Sequence, residues 1–479
     1  MLRRIKAVLS AGGLFRRIFG RSASRKSHGA LCHAPQHALR PLNRRLWSIA
    51  LPMMLANSSI ALFGLVDAAV VGHLENETFL AGVALAGVLF DFLYWGVTFL
   101  RMGTTGVVAQ AHGARDFVAC RGALYESGLI ALGLSLFMLL LNVPLMNLGL
   151  SLLGGSQQAH AQAEIYFQIK IWGAPAVLLT MVQMGWLIGM GEARSVLKLT
   201  AVASLLNVFL DLVFVLGFGL GVEGVAYASM LASYFAACWG VYLSVRVFKR
   251  LDIAVFEFNL DLRRLRRLLS LNTNILIRTI CLIFAFALFT RSGAKQGDII
   301  LAANTLLLSF QMVLALALDG YANALEVLVG ESIGAKNRRL FRDVISAGIR
   351  WSVMSAVVFS AGYFFCGPYF IALLTDIEGV RSAAGDYLAW LVLSPVIAVW
   401  CFVFDGIFIG ATQGRAMRNS MLFALLGVYL PALWVFRELG NHGIWAAFML
   451  FFAARGASMA WLFYRIKRQD GFMTSSSAA

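Results

Sequence analysis

The chain has 479 residues, of which 60% are hydrophobic and 13% are charged, whereas soluble domains contain about 45–50% apolar and about 25% charged residues. This composition excludes a soluble enzyme, a disordered protein and a disulfide-stapled scaffold. Forty Lys and Arg stand against 24 Asp and Glu, a net charge of +16, and the placement of these charges decides their meaning. The composition indicates an integral membrane protein.

Apolar stretches long enough to cross a bilayer recur along the whole chain. A spanning helix needs about 20 predominantly apolar residues, and several of the stretches are longer, which predicts tilted or bent helices. We predict twelve spans, near residues 47–72, 79–111, 122–146, 163–190, 195–217, 222–247, 266–290, 299–332, 343–366, 383–410, 416–436 and 442–464.

Basic residues are concentrated in the two tails and in every second loop. The opposite loops carry only Arg291, Lys295, Arg381 and Arg437. Because Lys and Arg accumulate on the cytoplasmic side of membrane proteins, we expect both termini to be cytoplasmic. The net charge then reflects topology and an attraction to anionic membrane lipid, and we expect no nucleic-acid partner.

The longest polar connection divides the chain in the middle. We predict a basic cytoplasmic tail at 1–46, a first lobe of six helices at 47–248, a cytoplasmic linker at 249–265, a second lobe of six helices at 266–465 and a disordered tail at 466–479. The first tail also has the composition of an organellar transit peptide, but we favour a basic tail or a mis-assigned start codon.

The two halves echo each other at one offset. Gly113-Ala-Arg-Asp after the second span matches Gly334-Ala-Lys-Asn after the eighth, and Gly189 after the fourth span matches Gly410 after the tenth. An even number of spans inserts both copies in the same orientation, so we predict two lobes related by a pseudo-two-fold axis along the membrane normal. The expected fold is an all-α polytopic membrane protein of twelve transmembrane helices, a V-shaped alternating-access transporter.

Ionisable residues inside the first-half spans are candidate ion-coupling or substrate sites, because a charge at the bilayer centre costs about 2.5–3.5 kcal/mol or more. Asp67 lies about twenty residues into the first span. Asn207 and Asp211 are four residues apart in the fifth span and therefore share one helix face. A carboxyl beside an amide suits the uptake and release of H⁺ or Na⁺, and an interfacial carboxylate or a structural hydrogen bond are the alternatives.

The second half carries its own set of polar candidates, Arg278, Asp319, Glu326 and Asp405. Asp319 and Glu326 are seven residues apart, which places them on one face of the eighth span. A buried ion-paired cluster and a role with substrate or proton both remain open for these residues.

Pro52, Pro175 and Pro395 lie inside spans and can kink their helices, so we predict that they act in gating. The sequence contains no GxSxG, HExxH, P-loop or paired CxxC motif. We therefore expect a protein that is not an enzyme and that needs no metal or other cofactor.

Five segments resemble the DinF branch of the MATE (multidrug and toxic compound extrusion) family. They begin at Gly64 (GLVDAAVVGHL), Phe99 (FLRMGTTGVVAQAHGA), Ile277 (IRTICL), Leu318 (LDGYANALEVLVGE) and Phe404 (FDGIFIGATQGRAMRN). The resemblance implies a twelve-helix antiporter that exports organic compounds in exchange for H⁺ or Na⁺. It further implies that Asp67 is the first-helix carboxylate whose protonation is linked to helix bending and substrate release, with Asn207 and Asp211 as its partners in the same lobe.

We therefore predict a secondary antiporter that exports amphipathic or cationic organic compounds across the bacterial inner membrane in exchange for H⁺, with Na⁺ the less favoured ion. Its expected partners are a small organic substrate and membrane lipid, and the expected state is a monomer. A flippase for lipid-linked precursors, of the same superfamily, is the first alternative. A channel or a non-transporting membrane scaffold is the second.

Overall fold

The computed structural model describes residues 36–72, 77–154, 156–252, 261–469 and 471–474. At residues 36–40, 60–72, 77–78, 216 and 473–474 only the backbone is described. Every regular element within these ranges is helical. Residues 1–35 of the predicted basic tail and residues 253–260 of the predicted 249–265 linker lie outside the described residues.

The helices are numbered along the chain. They are α1 Gln36–Gly72, α2 Glu77–Gly96, α3 Phe99–Gly113, α4 Phe117–Leu140, α5 Asn142–Leu153, α6 Gln157–Lys170, α7 Ala174–Gly189, α8 Ala193–Asp211, α9 Val222–Arg250, α10 Leu262–Ala294, α11 Asp298–Gly334, α12 Arg338–Leu374, α13 Glu378–Gly410, α14 Gly414–Leu422, α15 Leu430–Val435, α16 Gly440–Arg468 and α17 Gly471–Thr474. Short 3₁₀ or π-helical turns join α6 to α7, α14 to α15 and α15 to α16, and a π-helical turn extends α8.

The spans predicted from hydrophobicity are present as helices. In the described part of the chain, eleven helical segments are long and apolar enough to cross a membrane, and α1 covers the first predicted span. Three predicted spans, 79–111, 163–190 and 416–436, consist of two helices in succession: α2 with α3, α6 with α7 and α14 with α15. The predicted all-α polytopic fold is confirmed.

Both predicted tails include helical residues that the apolar pattern did not indicate. α1 begins at Gln36, eleven residues before the predicted span, because Leu42 and Leu46 continue the i, i+4 apolar spacing of the helix and are buried. At the other end, Gly471–Thr474 is helical and Phe472 is 3% exposed, packed against Phe341 and Phe463. A single aromatic residue in a polar tail leaves no periodic signal in the sequence.

Buried apolar residues form separate cores at one end of the two lobes and a shared core at the other. One cluster belongs to the first lobe alone, between Ala86 and Ala226, and a second belongs to the second lobe alone, between Cys281 and Phe452. The largest cluster combines both lobes and includes Trp186, Phe248 and Phe408. The lobes are therefore packed together at the end where the basic loops lie, called the basic side below.

The turns at the basic side have the same geometry in both lobes. Arg115 and Lys336 have φ of 58° and 51°, and the residues that follow them, Asp116 and Asn337, cap the next helix through side chains that accept from the N–H groups of Ala119 and Leu340. Helix ends with a left-handed residue and a side-chain cap satisfy the free backbone groups of both helices. The sequence match at Gly113 and Gly334 is thus also a match of backbone structure.

α10 begins immediately after Asp261, at the polar connection between the lobes. The Asp261 carboxylate accepts hydrogen bonds from the backbone N–H groups of Arg263 (2.9 Å) and Arg264 (3.4 Å). These backbone hydrogen bonds hold the pKa of Asp261 below its usual value. The cap starts the helix that carries Arg278 into the second lobe.

Candidate functional site

The first-lobe candidates lie on α8, beside a break in its regular hydrogen bonding. Asp211 is the last residue of α8 and is completely buried, and Asn207 Nδ2 donates to its Oδ2 over 3.2 Å. A π-helical turn, Leu212–Gly217, follows directly, and such turns are frequent at functional sites. The predicted amide–carboxyl pair is present in the fold. The side chain of Asp67 lies outside the described residues.

Asp405 is the centre of the second-lobe charges. Its Oδ2 accepts hydrogen bonds from Arg278 of α10 and from Arg455 of α16, and all three side chains are buried. Two guanidinium groups on one carboxylate neutralise charges that would be costly in an apolar interior. Of the predicted second-lobe candidates, Arg278 and Asp405 are thus directly paired.

Glu326 is instead approached by a cation from the first lobe. Arg101 of α3 donates from Nη1 to Asn323 Oδ1 over 2.7 Å, and the same nitrogen lies 3.9 Å from Glu326 Oε2. Asp319 lies two turns further from the basic side on the same helix and is half-buried. Electrostatic contacts link Asp319 to Arg101, Arg278, Asp405 and Arg455. The four predicted second-lobe residues therefore belong to one charged cluster.

Sequence reasoning missed two members of this cluster. Neither Arg101 nor Arg455 is among the predicted candidates, although Arg455 lies within the apolar run Phe451-Phe-Ala-Ala-Arg-Gly-Ala. The high cost of a charge inside the membrane applies to Arg455 as much as to Arg278. A charged residue within an apolar run was therefore the sequence signal that would have identified Arg455.

Glycines bring the two lobes into backbone contact on the basic side. A Cβ at Gly334 would lie 1.9 Å from the carbonyl oxygen of Gln110, and a Cβ at Gly113 would lie 2.2 Å from that of Glu331. These two contacts are equivalent under the internal repeat, so α3 and α11 cross through self-matching surfaces. We call this contact of α3 with α11 the basic-side seam.

Polar groups complete the basic-side seam differently in the two halves. Gln110 Nε2 donates to the carbonyl oxygen of Gly410 over 2.9 Å. At the equivalent position, Glu331 accepts from Arg45 Nη2 at 2.5 and 2.8 Å, and its Oε1 lies 3.1 Å from His112 Nδ1. The first half thus places an amide at this position of the seam, whereas the second half places an ionisable carboxylate there. These partners of Glu331 were not predicted from the sequence.

The three prolines occupy different helical contexts. Pro175 lies in the first turn of α7, just after the 3₁₀ turn Ile171–Gly173 that separates α6 from α7. Pro395 lies inside α13 and is buried, and Pro52 is buried in α1. Proline interrupts helical hydrogen bonding at all but the first turn, so Pro52 and Pro395 are placed to bend their helices. Their predicted gating role stays a prediction.

Comparison with known proteins identifies relatives over nearly the whole chain. A family model described as MatE matches residues 52–213 and 275–435. DNA damage-inducible protein F of Escherichia coli is 39% identical over 424 residues, which cover 88% of this chain and 92% of that protein. Multidrug export protein MepA of Staphylococcus aureus is 22% identical over 83% of this chain and 88% of its own.

Solved structures share the fold at low sequence identity. A multidrug resistance MATE family transporter in an outward-facing conformation superposes with a TM-score of 0.81 and 22% identity, covering 89% of this chain and 96% of its own. Together with the family match and the Escherichia coli relative, this likeness assigns the protein: it belongs to the MATE family of membrane transporters.

Proposed function

We propose that the protein is a proton-coupled antiporter that exports amphipathic, cationic organic compounds. The observation that carries the proposal is Asp211, a completely buried carboxyl with an amide partner, Asn207, inside an apolar helix. Such a group can exchange a proton when a cavity opens to it, because burial makes the charged form costly. The names of the relatives, a multidrug export protein among them, support export of organic compounds.

The proposed cycle makes proton and substrate compete for the first-lobe carboxyls. When the cavity opens outward, a proton neutralises Asp211 and the substrate cation loses its counter-charge and leaves. When the cavity opens to the cytoplasm, the proton departs and a new cation binds. A positive charge that moves inward gains about 2.3 kcal/mol per 100 mV of membrane potential. In one-for-one exchange with a monovalent cation no net charge crosses the membrane, so the exchange would be electroneutral and driven by the pH gradient alone.

Reconstitution in liposomes tests the coupling ion. A pH gradient and then a Na⁺ gradient are imposed while the efflux of a fluorescent organic cation is recorded. We expect efflux under the pH gradient, none under Na⁺ alone, and loss of efflux in Asp211→Asn. The matched control is Asp376→Asn, because the Asp376 side chain is fully exposed; this variant should transport normally.

Other outcomes point to the alternatives. Efflux driven only by Na⁺ would contradict proton coupling and retain the antiporter. Transport under neither gradient would favour a flippase for lipid-linked precursors, which a lipid-flipping assay measures. Efflux that survives Asp211→Asn at normal protein levels would remove Asp211 from the mechanism and favour a channel.

The proposal places the protein in the bacterial inner membrane as a monomer with both termini in the cytoplasm. The concentration of Lys and Arg on one side supports this orientation. The Escherichia coli relative, matched over 92% of its length, supports a bacterial origin.

A further inference from the structure

The second-lobe cluster lacks one positive charge of its own. Within the second lobe, three carboxylates, Asp319, Glu326 and Asp405, accompany two guanidinium groups, Arg278 and Arg455. Asp405 accepts hydrogen bonds from both guanidinium groups. With all groups ionised, the five side chains sum to one negative charge.

Arg101, a residue of the first lobe, supplies this positive charge. Arg101 of α3 reaches across the basic-side seam to Asn323 (2.7 Å) and Glu326 (3.9 Å) of α11. Its guanidinium brings the cluster to neutrality only while α3 lies against α11. If the two helices separate, Arg101 leaves with its own lobe and the second lobe becomes negatively charged.

Glu326 is the carboxylate that this separation affects most. Its side chain is 3% exposed, and Oε2 is buried with no hydrogen-bond donor among the described residues. A Cβ at Gly410 would lie 2.5 Å from the Glu326 carbonyl oxygen, so α13 packs directly on this turn of α11. An organic cation cannot reach such a site, whereas a proton can.

We propose that Glu326 is a proton-binding group of the second lobe and that Arg101 is a tethered cation that competes with the proton. With Glu326 ionised, its attraction for Arg101 holds the basic-side seam closed. When Glu326 binds a proton, Arg101 is released and α3 can move away from α11. Protonation thus permits opening on the basic side, in the order that a proton-driven exporter requires.

Asp319 provides a path for the proton from the far side of the seam. It lies seven residues before Glu326 on α11, away from the basic side, and is half-buried. No hydrogen bond to its carboxylate is found among the described residues. Asp319 can therefore accept a proton from a cavity open on that side before Glu326 does.

Other ionisable groups along the seam must be separated from Glu326 in any test. The charged groups that interact with Glu326 are Arg101 on α3, Arg278 on α10, Asp319 on α11 and Asp405 on α13, and Arg455 on α16 donates to Asp405. Nearer the basic surface lies the Glu331 contact with Arg45 and His112. The imidazole of His112 contacts Glu331 at the seam and needs its own control.

The test measures the distance between the lobes on the basic side as a function of pH. Spin labels are placed at Val118 and Arg339, exposed and equivalent positions of the two lobes, after replacement of the native cysteines. Pulsed electron paramagnetic resonance is recorded in lipid nanodiscs without substrate or gradient. We expect the open population to grow as pH falls, by up to about tenfold in the open-to-closed ratio per pH unit for one linked carboxyl.

Five variants decide whether Glu326 is the group responsible. Glu326→Gln should favour the open form at alkaline pH and lose the pH response. Arg101→Gln should favour the open form at alkaline pH and weaken the pH response, because no cation then holds the seam closed or competes with the proton for Glu326. Arg101→Lys should restore the wild-type response. His112→Gln and the exposed control Asp376→Asn should both respond like the wild type.

A wild-type response in Glu326→Gln, or its loss in His112→Gln alone, would overturn the proposal. If Glu326→Gln does not fold, as judged by gel filtration and circular dichroism, a wild-type pH response in Arg101→Gln overturns it instead. The proposal rests on the proton coupling proposed above, which the liposome assay tests separately. Transport driven by Na⁺ alone, with an intact Glu326-dependent distance change, would contradict the coupling ion and leave the Glu326 switch in place.

Discussion

Two guanidinium groups from different helices share one carboxylate oxygen at Asp405. Arg278 and Arg455 both donate to Oδ2, while Oδ1 has no hydrogen-bond partner among the described residues. The carboxylate thus keeps two buried cations from repelling each other and joins α10, α13 and α16. Its main role in the fold is to hold the second lobe together.

Asp405→Asn should be strongly destabilising. The substitution keeps the size of the side chain and removes its charge, which leaves two buried guanidinium groups without a counter-ion. We expect a loss of about 3–5 kcal/mol, the cost of breaking a buried ion pair by removing one partner. Thermal unfolding in detergent, followed by the fluorescence of a thiol-reactive dye at buried cysteines such as Cys401, measures the change.

A second substitution separates charge from packing at this site. In Asp405→Asn combined with Arg455→Met, one of the unpaired cations is also gone, so part of the lost stability should return. If the double variant is as unstable as the sum of the single ones, the two residues are not coupled and the shared contact does not stabilise the lobe.

At the scale of single residues, the sequence identified candidates more reliably than partners. Asp405, Arg278 and Glu326 stood out because an ionisable residue in an apolar run needs a reason to be there. Which cation neutralises which carboxylate depends on how the helices face one another. Arg101 is 222 residues from Asn323 and Asp405 is 127 residues from Arg278, and local patterns carry no information over such separations.

At the scale of helices, the close contact of α3 with α11 at the basic-side seam depends on glycines. Gly113 and Gly334 let the backbones of α3 and α11 come together, as small residues commonly do between membrane helices. The same device occurs inside each lobe, where Gly185 lies against the Arg101 carbonyl and Gly406 against that of Ala322. The equivalent contacts explain why the helix ends of the two halves match in sequence.

Gly334→Ala should weaken the closed seam. The added methyl group would meet the Gln110 carbonyl at 1.9 Å, and overpacking of this kind costs about 1–3 kcal/mol. α3 and α11 should therefore move apart on the basic side. The distance between spin labels at Val118 and Arg339 measures the shift.

Gly362→Ala is the matched control for this substitution. Gly362 lies in α12, where an added Cβ meets nothing within 4 Å, so the distance should not change. An unchanged distance in Gly334→Ala would mean that the glycine contact does not determine whether the seam is closed.

At the scale of the whole molecule, the arrangement of apolar cores indicates how the lobes can move. Each lobe has its own core at one end, and two clusters combine residues of both lobes, the larger of them at the basic side. The separate cores let each lobe remain packed while the two change their relative position. When the basic side opens, the apolar contacts of the shared core between the lobes must separate. The free-energy cost of opening is therefore concentrated at the basic-side seam.

The orientation of the molecule in the membrane is a further prediction. The excess of Lys and Arg in alternate loops predicts that both termini lie in the cytoplasm. Green fluorescent protein fused after Arg468 should therefore fluoresce, and alkaline phosphatase at the same point should be inactive. The reverse result would invert the proposed direction of transport, and a fusion after Lys295, in a predicted external loop, gives the opposite control.

Local sequence patterns determined the class of protein, the order of its apolar spans, the duplication of its halves and the ionisable residues that lie within them. These properties follow from local composition, because about twenty apolar residues suffice to define a span and a repeat is visible in the chain itself. Only the tertiary structure decided that Arg101 completes a charged cluster of the other lobe and that Arg45 reaches Glu331, 286 residues away. Helical periodicity determines which face a residue occupies, but the neighbour of that face depends on the packing of all the helices together.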